Sequence, residues 1–530
     1  MLTPGRSTAV LSALAIALGL SLAAYTEYVR IPLSSSLFGM GSLPDLYEAG
    51  IEEIQDGLKR KRFTSVDLVK AYLARIDEVN LNGPALRAVL ETNPNVLRQA
   101  AELDKERETS GPRGPLHGIP ILLKDNIATL HSEGMNTTAG SYALLGSVVA
   151  GESFVAAQLR AAGAILLGKC TLSEWANWRG TVPSGFCGRG GHGTNPYVPL
   201  GNPSGSSSGS GIAGAVGLAT ATLGSETDGS IISPSGNCNV VGLKPTVGLT
   251  SRAGVIPISE HQDSVGLMCR SVADCAIVLS TIAGRDPHDS YTLNQPAQVP
   301  DYTKALKKDG SGACVLEGVD ANVLIAFNKA LKDLTELGAT VVDPADFGDG
   351  WDYEEVQNRE DVVLCGDFKL VDVPTGVRTL ADLIKFNEDN REKELVEPYW
   401  TDQARFVKSN GVHQDPAFWE ALEWDYRMGR QDGVDGLLKK ASRPAAVAGY
   451  PVITVPLGFQ PPDVALTEAS PTRMNGPNMP FGISFLGTAY SEFQLIQYAY
   501  AYEQATKHRL EKKAYPEAIP KTQLADVMGK

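Results

Sequence analysis

Three separated stretches carry residue types that could activate a hydroxyl group. Gly118-Ile-Pro-Ile-Leu-Leu-Lys124-Asp-Asn126 ends an apolar run on a lysine. A lysine that closes a buried strand loses hydration, and desolvation lowers its pKa until it can accept a proton. Gly201-Asn-Pro-Ser-Gly-Ser-Ser-Ser-Gly-Ser-Gly-Ile-Ala-Gly214 holds Ser206. Gly224-Ser-Glu-Thr-Asp-Gly-Ser230-Ile-Ile-Ser-Pro is a Gly-rich turn that ends in a serine before apolar residues. Such a turn can aim several backbone N–H groups at one point, which is what an oxyanion hole requires. Taken singly, each piece also reads as a surface lysine at a strand end or as a turn serine.

The Gly/Ser segment admits two other chemistries. Gly209-Ser-Gly-Ile-Ala-Gly214 has the glycine spacing of a dinucleotide fingerprint. That fingerprint needs a strand before it and an acid about 20 residues on. Asp228 lies at a tolerable distance, but Asn195-Pro-Tyr-Val-Pro-Leu-Gly-Asn-Pro203 contains three prolines and makes a poor strand. Gly205-Ser-Ser207-Ser-Gly209 has the spacing of a nucleophile elbow, with Ser207 as nucleophile. The elbow also needs a preceding strand, and the histidines that could serve it, His413 and His508, have undistinguished surroundings.

The elements around these stretches alternate. Residues 44–109 read as helical, with Thr64 and Ser65 capping a stripe of Val66, Val69, Leu73 and Ile76. Ile119–Leu123 predicts a buried strand, Phe154–Ala162 a helix, and Ala164–Leu167 another strand. Ile212–Ala219 is too apolar for a linker. Strands are expected at Pro451–Leu457 and Phe481–Leu486, and a helix from Ser491 to about Lys507. The expected fold is α/β, one large domain over 44–510 with a mixed central sheet covered by helices on both faces. Residues 286–440, more charged and carrying Trp351, Trp400, Trp419 and Trp424, read as an insert that shapes the substrate pocket. Residues 511–530 read as a C-terminal tail.

The composition narrows the partners. The chain has 530 residues and a net charge of -14, with no compact basic tract to bind phosphate backbones, so nucleic acid is excluded as an expected partner. Arg6, the apolar run Ala9–Ala24 and the small residues before Tyr25 predict a secretory signal peptide or signal anchor over 1–24, followed by a linker over 25–43. Membrane contact is expected only through that segment. Asn136-Thr137-Thr138 is a glycosylation sequon, consistent with a secreted glycoprotein. Seven cysteines and seven histidines show no metal-ligand spacing, and the cysteines read as small buried thiols.

Taken together, the stretches resemble the amidase signature family, most closely its peptide amidase type, from about Leu43 to the helix near Lys507. The family carries a lysine after Gly-Ile-Pro, here Lys124, and a serine in its Gly/Ser segment, here Ser206. Its nucleophile lies in Gly-Ser-Ile, here Ser230. The two serines are 24 residues apart here, as in the family. Val241–Leu249 and Ser264–Ser271 extend the match. The resemblance implies an amide hydrolase with no cofactor and no metal, acting on a small-molecule or peptide amide. In it Ser230 attacks, Ser206 follows a cis peptide and relays the proton, and Lys124 is the base. The N–H groups of Thr227, Asp228, Gly229 and Ser230 hold the oxyanion. Many members carry an arginine two residues after the nucleophile, paired with an acid before it; here those places are Ile232 and Glu226, so Glu226 needs another partner. The peptide amidase type also lacks the arginine. The alternatives are a glutamine-dependent amidotransferase component and a binding protein on the same scaffold.

Overall fold

The computed structural model describes residues 42–307, 314–315, 320–341, 358–364, 376–434 and 448–529. The expected leader, Trp351 and Cys365 lie outside them. Within the unit Pro44–Lys530 the backbone is organised on a nine-stranded mixed sheet. The strands are β1 (Val89–Thr92), β2 (Pro120–Lys124), β3 (Ile165–Cys170), β6 (Ala221–Glu226), β7 (Val241–Lys244), β8 (Ser264–Cys269), β9 (Cys314–Val315), β10 (Val452–Phe459) and β11 (Pro480–Leu486). Their order is β1-β3-β2-β6-β8-β7-β10-β11-β9. A separate two-stranded hairpin joins β4 (Phe186–Cys187) to β5 (Gly191–His192).

Only β3, β2 and β6 run parallel to one another; the remaining pairs are antiparallel. Every residue of β2, β3, β6, β7 and β8 is buried. Strands buried at every position are covered on both faces, which explains why they read as continuous apolar runs. The helix Phe154–Ala161 makes the crossover from β2 to β3. Because β2 and β6 are parallel, with Leu123 beside Leu223, Lys124 and the end of β6 emerge at one edge of the sheet. Ligand sites in open α/β sheets form at such carboxyl ends.

The structure corrects one expectation and refines several others. Residues 44–109 are not wholly helical: Val89–Thr92 forms β1, an edge strand pairing with β3 across a bulge. Four residues are too few to show an alternation of their own. The helix Ser65–Val79 begins at a full capping box between Thr64 and Asp67. Ile212–Ala219 splits into the end of the buried helix Ser208–Ala215 and a turn into β6. Residues 511–530 pack back on the domain. Arg75 donates to the carbonyls of Gly217 at 2.7 Å and Thr522 at 2.7 Å, and Leu524 is fully buried. From the 286–440 segment, Cys314–Val315 adds the last strand of the sheet.

Among the described residues, Cys170, Cys187, Cys238, Cys269 and Cys275 are free and buried, and no helix is long and apolar enough to cross a membrane.

Candidate active site

Lys124 is the last residue of β2 and is fully buried. Its Nζ hydrogen-bonds to Ser206 Oγ at 2.7 Å and to the Ser225 carbonyl at 3.0 Å. Burial pulls the amine down from its ordinary 10.5 to about 7, while the charges of Asp263 and Glu226 push the other way. An amine with that pKa is largely neutral in mildly alkaline water and can take a proton from a hydroxyl.

Ser206 is also fully buried and follows a cis peptide bond from Gly205. Its carbonyl accepts the Ser173 N–H at 2.9 Å. The glycines around it serve close packing. A Cβ at Gly209 would lie 2.3 Å from the Ala88 carbonyl and 2.4 Å from Thr171 Oγ1. The helix Ser208–Ala215 that starts here presses directly on the sheet, and glycine permits the approach.

Ser230 lies in the turn between β6 and the helix Ile232–Asn237. The Ser207 N–H donates to the Ser230 carbonyl at 3.1 Å, which holds the two serine segments side by side. Gly229 has φ +75, a conformation that suits glycine. Among the described residues, no acceptor takes the N–H groups of Thr227, Asp228, Gly229 or Ser230. The turn therefore offers four unclaimed donors beside a hydroxyl.

Glu226 does have a partner, and it is backbone. Its Oε2 accepts the N–H of Ile231 at 2.6 Å and of Ile232 at 2.9 Å. An acid one turn before a helix takes up that helix's first free donors. The side chain of Ile232, where many family members carry arginine, packs against Ala448, Tyr450, Val452 and Leu486 instead. This could have been read from the sequence, since Glu226 stands just ahead of an apolar helix start.

Ser206, Thr227, Asp228 and Ser230 line one cavity of about 550 Å³. Its other walls include Trp178, Ile258, Glu360, Leu364, Arg405 and Lys408. The insert therefore does reach the site, through Glu360, Leu364, Arg405 and Lys408. Of its expected tryptophans, Trp400 stacks on Phe186 at 4.3 Å, a packing role, and Trp419 is exposed. The tryptophan on the cavity is Trp178, from the core segment, with the Arg405 guanidinium 4.9 Å above its ring. Glu360 is nearly buried, accepts from Gln262 at 2.6 Å, and has its carboxyl pushed well up by burial and by Asp228.

The competing motifs find no support. Gly209–Gly214 lies inside a helix, without the strand–turn–helix of a dinucleotide site. Ser207 is fully buried, and its Oγ is spent on the Ser225 carbonyl at 3.1 Å. His508 hydrogen-bonds to Glu511 at 2.7 Å, on the surface. Among the described residues, no group of three or more histidines, cysteines or acids is placed to hold a metal. The sequon is tied into the fold: Asn136 Nδ2 donates to Glu91 at 3.0 Å, and Thr138 Oγ1 to the buried Asp125 at 2.5 Å.

Comparison with known proteins agrees with this architecture. Residues 67–358 match the family model described as Amidase. A protein of Arthroderma benhamiae that carries an amidase name is 39% identical over 522 residues, covering 88% of this chain and 87% of that one. A glutamyl-tRNA(Gln) amidotransferase subunit of Geobacter metallireducens is 31% identical, covering 88% of this chain and 99% of its own. The crystal structure of native peptide amidase from Stenotrophomonas maltophilia superimposes with a TM-score of 0.78 at 38% identity, covering 90% of this chain and 99% of that one. The chain belongs to the amidase signature family and is a hydrolase of carbon–nitrogen bonds.

Proposed function

We propose that the chain hydrolyses linear amides, C-terminal peptide amides among them, with Ser230 as nucleophile, Ser206 as proton relay and Lys124 as base. The observation that carries this is the bond from Lys124, with its lowered pKa, to Ser206 at 2.7 Å in a fully buried setting, on a cavity shared with Ser230. Ser230 Oγ attacks the carbonyl carbon. Its proton moves to Ser206 as the Ser206 proton moves to Lys124. The oxygen that becomes negative is held by the N–H groups of the 227–230 turn; one such donor typically contributes about 2.7–4 kcal/mol. The lysine returns its proton through Ser206 to the leaving nitrogen, which departs as a neutral amine or ammonia. Water then repeats the relay on the ester at Ser230.

Similarity to peptide amidase supports the peptide amide substrates. Ile232 in place of arginine, a feature shared with that type, favours it over the amidotransferase reading. A fluorophosphonate probe should label the wild-type chain on one residue, and peptide mapping should place the label on Ser230. A label on Ser207, or none, sinks the assignment.

We also propose that residues 1–24 direct the chain to the secretory route, supported by Arg6 and the apolar run Ala9–Ala24. N-terminal sequencing of the mature protein should begin at or near Tyr25; an intact Met1 on a cytosolic chain counts against it. A glycan at Asn136 is not part of this reading, because it would displace the amide from Glu91.

A further inference from the structure

Asp263 stands directly before β8, and β8 pairs with β6 through Ser264 and Glu226. Asp263 is therefore level with the first residue of the 227–230 turn. Its Oδ1 accepts the Thr227 hydroxyl at 2.5 Å, and its Oδ2 accepts the N–H groups of Ile258 at 2.8 Å and Ser259 at 3.1 Å. Three donors converge on one carboxyl group, and the ionised form accepts all three. Thr227 heads the oxyanion turn and Ile258 lines the cavity, so one side chain ties the turn to the cavity wall.

The charges around it are defined. Burial raises the Asp263 carboxyl, and its three donors and Arg252 oppose that. Arg252 is itself taken by Asp289, at 2.8 Å and 2.6 Å. Lys124 has two acids acting on it, Asp263 first and Glu226 second. Glu226 is committed to the N–H groups of Ile231 and Ile232. Lys244, also buried, feels both acids more weakly than it feels its own burial.

We infer that Asp263 is a positioning residue for the hydrolysis: it fixes Thr227, and with it the oxyanion donors, and keeps a negative charge within electrostatic reach of Lys124. This rests on the proposed roles of Ser230 and Lys124. Nothing in the motifs around Lys124, Ser206 and Ser230 points to Asp263.

The two jobs separate in mutants. Thr227→Val removes the hydroxyl bond and leaves the charge. It should lower kcat about tenfold, part of what a misplaced oxyanion donor costs, and leave the acid limb of kcat/KM where it is. Asp263→Asn removes the charge as well. It should lower kcat by about 100-fold, the low end for losing an oxyanion donor, with KM within about threefold. The acid limb should also move. A negative charge favours the protonated lysine, so its loss lowers the Lys124 pKa, and the limb should shift to lower pH by about half a unit or more. Asp263→Glu should return the limb toward the wild-type position. An Asp263→Asn enzyme with a lower kcat and an unmoved limb has lost only structure, and that overturns the inference; so does one with wild-type kcat. If Asp263→Asn does not fold, Thr227→Val decides: wild-type kcat there overturns it. A wild-type chain that neither hydrolyses amides nor takes the fluorophosphonate label defeats the hydrolase assignment itself. An active, labelled wild type beside an unaffected Asp263→Asn defeats only the role of Asp263.

Discussion

Lys124→Met is expected to hydrolyse amides about 10²–10⁴-fold more slowly than the wild type, the range for losing a positioned general base. Ser230→Ala combined with Lys124→Met should be scarcely worse than Ser230→Ala alone, because members of one relay do not contribute additively. The loss should not come from unfolding. Methionine has a similar length, and Ser225 O keeps the Ser207 hydroxyl when the amine is gone. The wild type holds Lys124 at about 7 when folded against an ordinary 10.5. Between those values the unfolded chain carries a proton that the folded chain lacks, so this residue makes stability fall as pH drops from the upper value to the lower. Below about pH 7 folding must bury the charge or strip it. Lys124→Met removes that burden, and urea unfolding should find it at least as stable as the wild type at neutral pH. The same pKa predicts the wild-type rate profile. kcat/KM should fall tenfold per unit below about pH 7, as the neutral amine disappears, and level off above it. A profile that peaks in acid would remove the lysine from its role.

The residues proposed to carry the chemistry were legible because each sits in a local pattern that physics constrains. Lys124 ends an apolar run that reads as a buried strand, and desolvation of the lysine is what such a position implies. Ser206 and Ser230 lie in Gly/Ser stretches whose spacing matches a family. The parts that escaped are those set by contacts distant in sequence. Glu360 and Arg405 reach the cavity from segments more than a hundred residues beyond Ser230, and nothing local marks them. Asp263 sits in Gln262-Asp263-Ser264, an unremarkable polar step, and matters only because β8 lies beside β6. β1 escaped for a different reason. A four-residue edge strand draws its stability from pairing with β3, not from its own pattern. The Gly/Ser segment misled in the opposite direction. Its glycines look like flexibility or phosphate binding, whereas they allow a helix to press on the sheet.

Arg179→Met should cost the fold about 3–5 kcal/mol, the range for breaking a buried ion pair on one side, and the cost should grow with pH. Arg179 is buried. It donates to Glu174 Oε1 at 2.8 Å, to the Glu394 carbonyl, and to the Trp400 carbonyl at 2.7 Å. Glu174 also accepts the Gly188 N–H at 2.6 Å, and Glu394 accepts Ser141 Oγ at 3.0 Å and the Tyr142 N–H at 2.7 Å. Burial is the main cause that holds both carboxyls above their ordinary range, and the presence of each other adds to it at Glu174; Arg179 opposes it. Arg179 offsets negative charge on the pair. Without it the pair must take up a proton or bury charge uncompensated. A carboxyl whose folded pKa lies above its unfolded value binds more protons when folded, so stability falls as pH rises from the ordinary carboxyl range toward the raised values. Removing Arg179 pushes the pair higher and steepens that fall. Urea unfolding at pH 5 and pH 8 should find the larger deficit at pH 8; an equal deficit at both would assign the loss to packing alone. Activity should suffer before folding does. The substitution releases the Glu394 and Trp400 carbonyls, just ahead of the short helix Ala404–Ser409 that sets Arg405 and Lys408 on the cavity wall. A variant still folded at pH 6 should therefore bind substrate more weakly, with KM raised more than kcat is lowered, because Lys124, Ser206 and Ser230 stand on strands and turns that Arg179 does not touch.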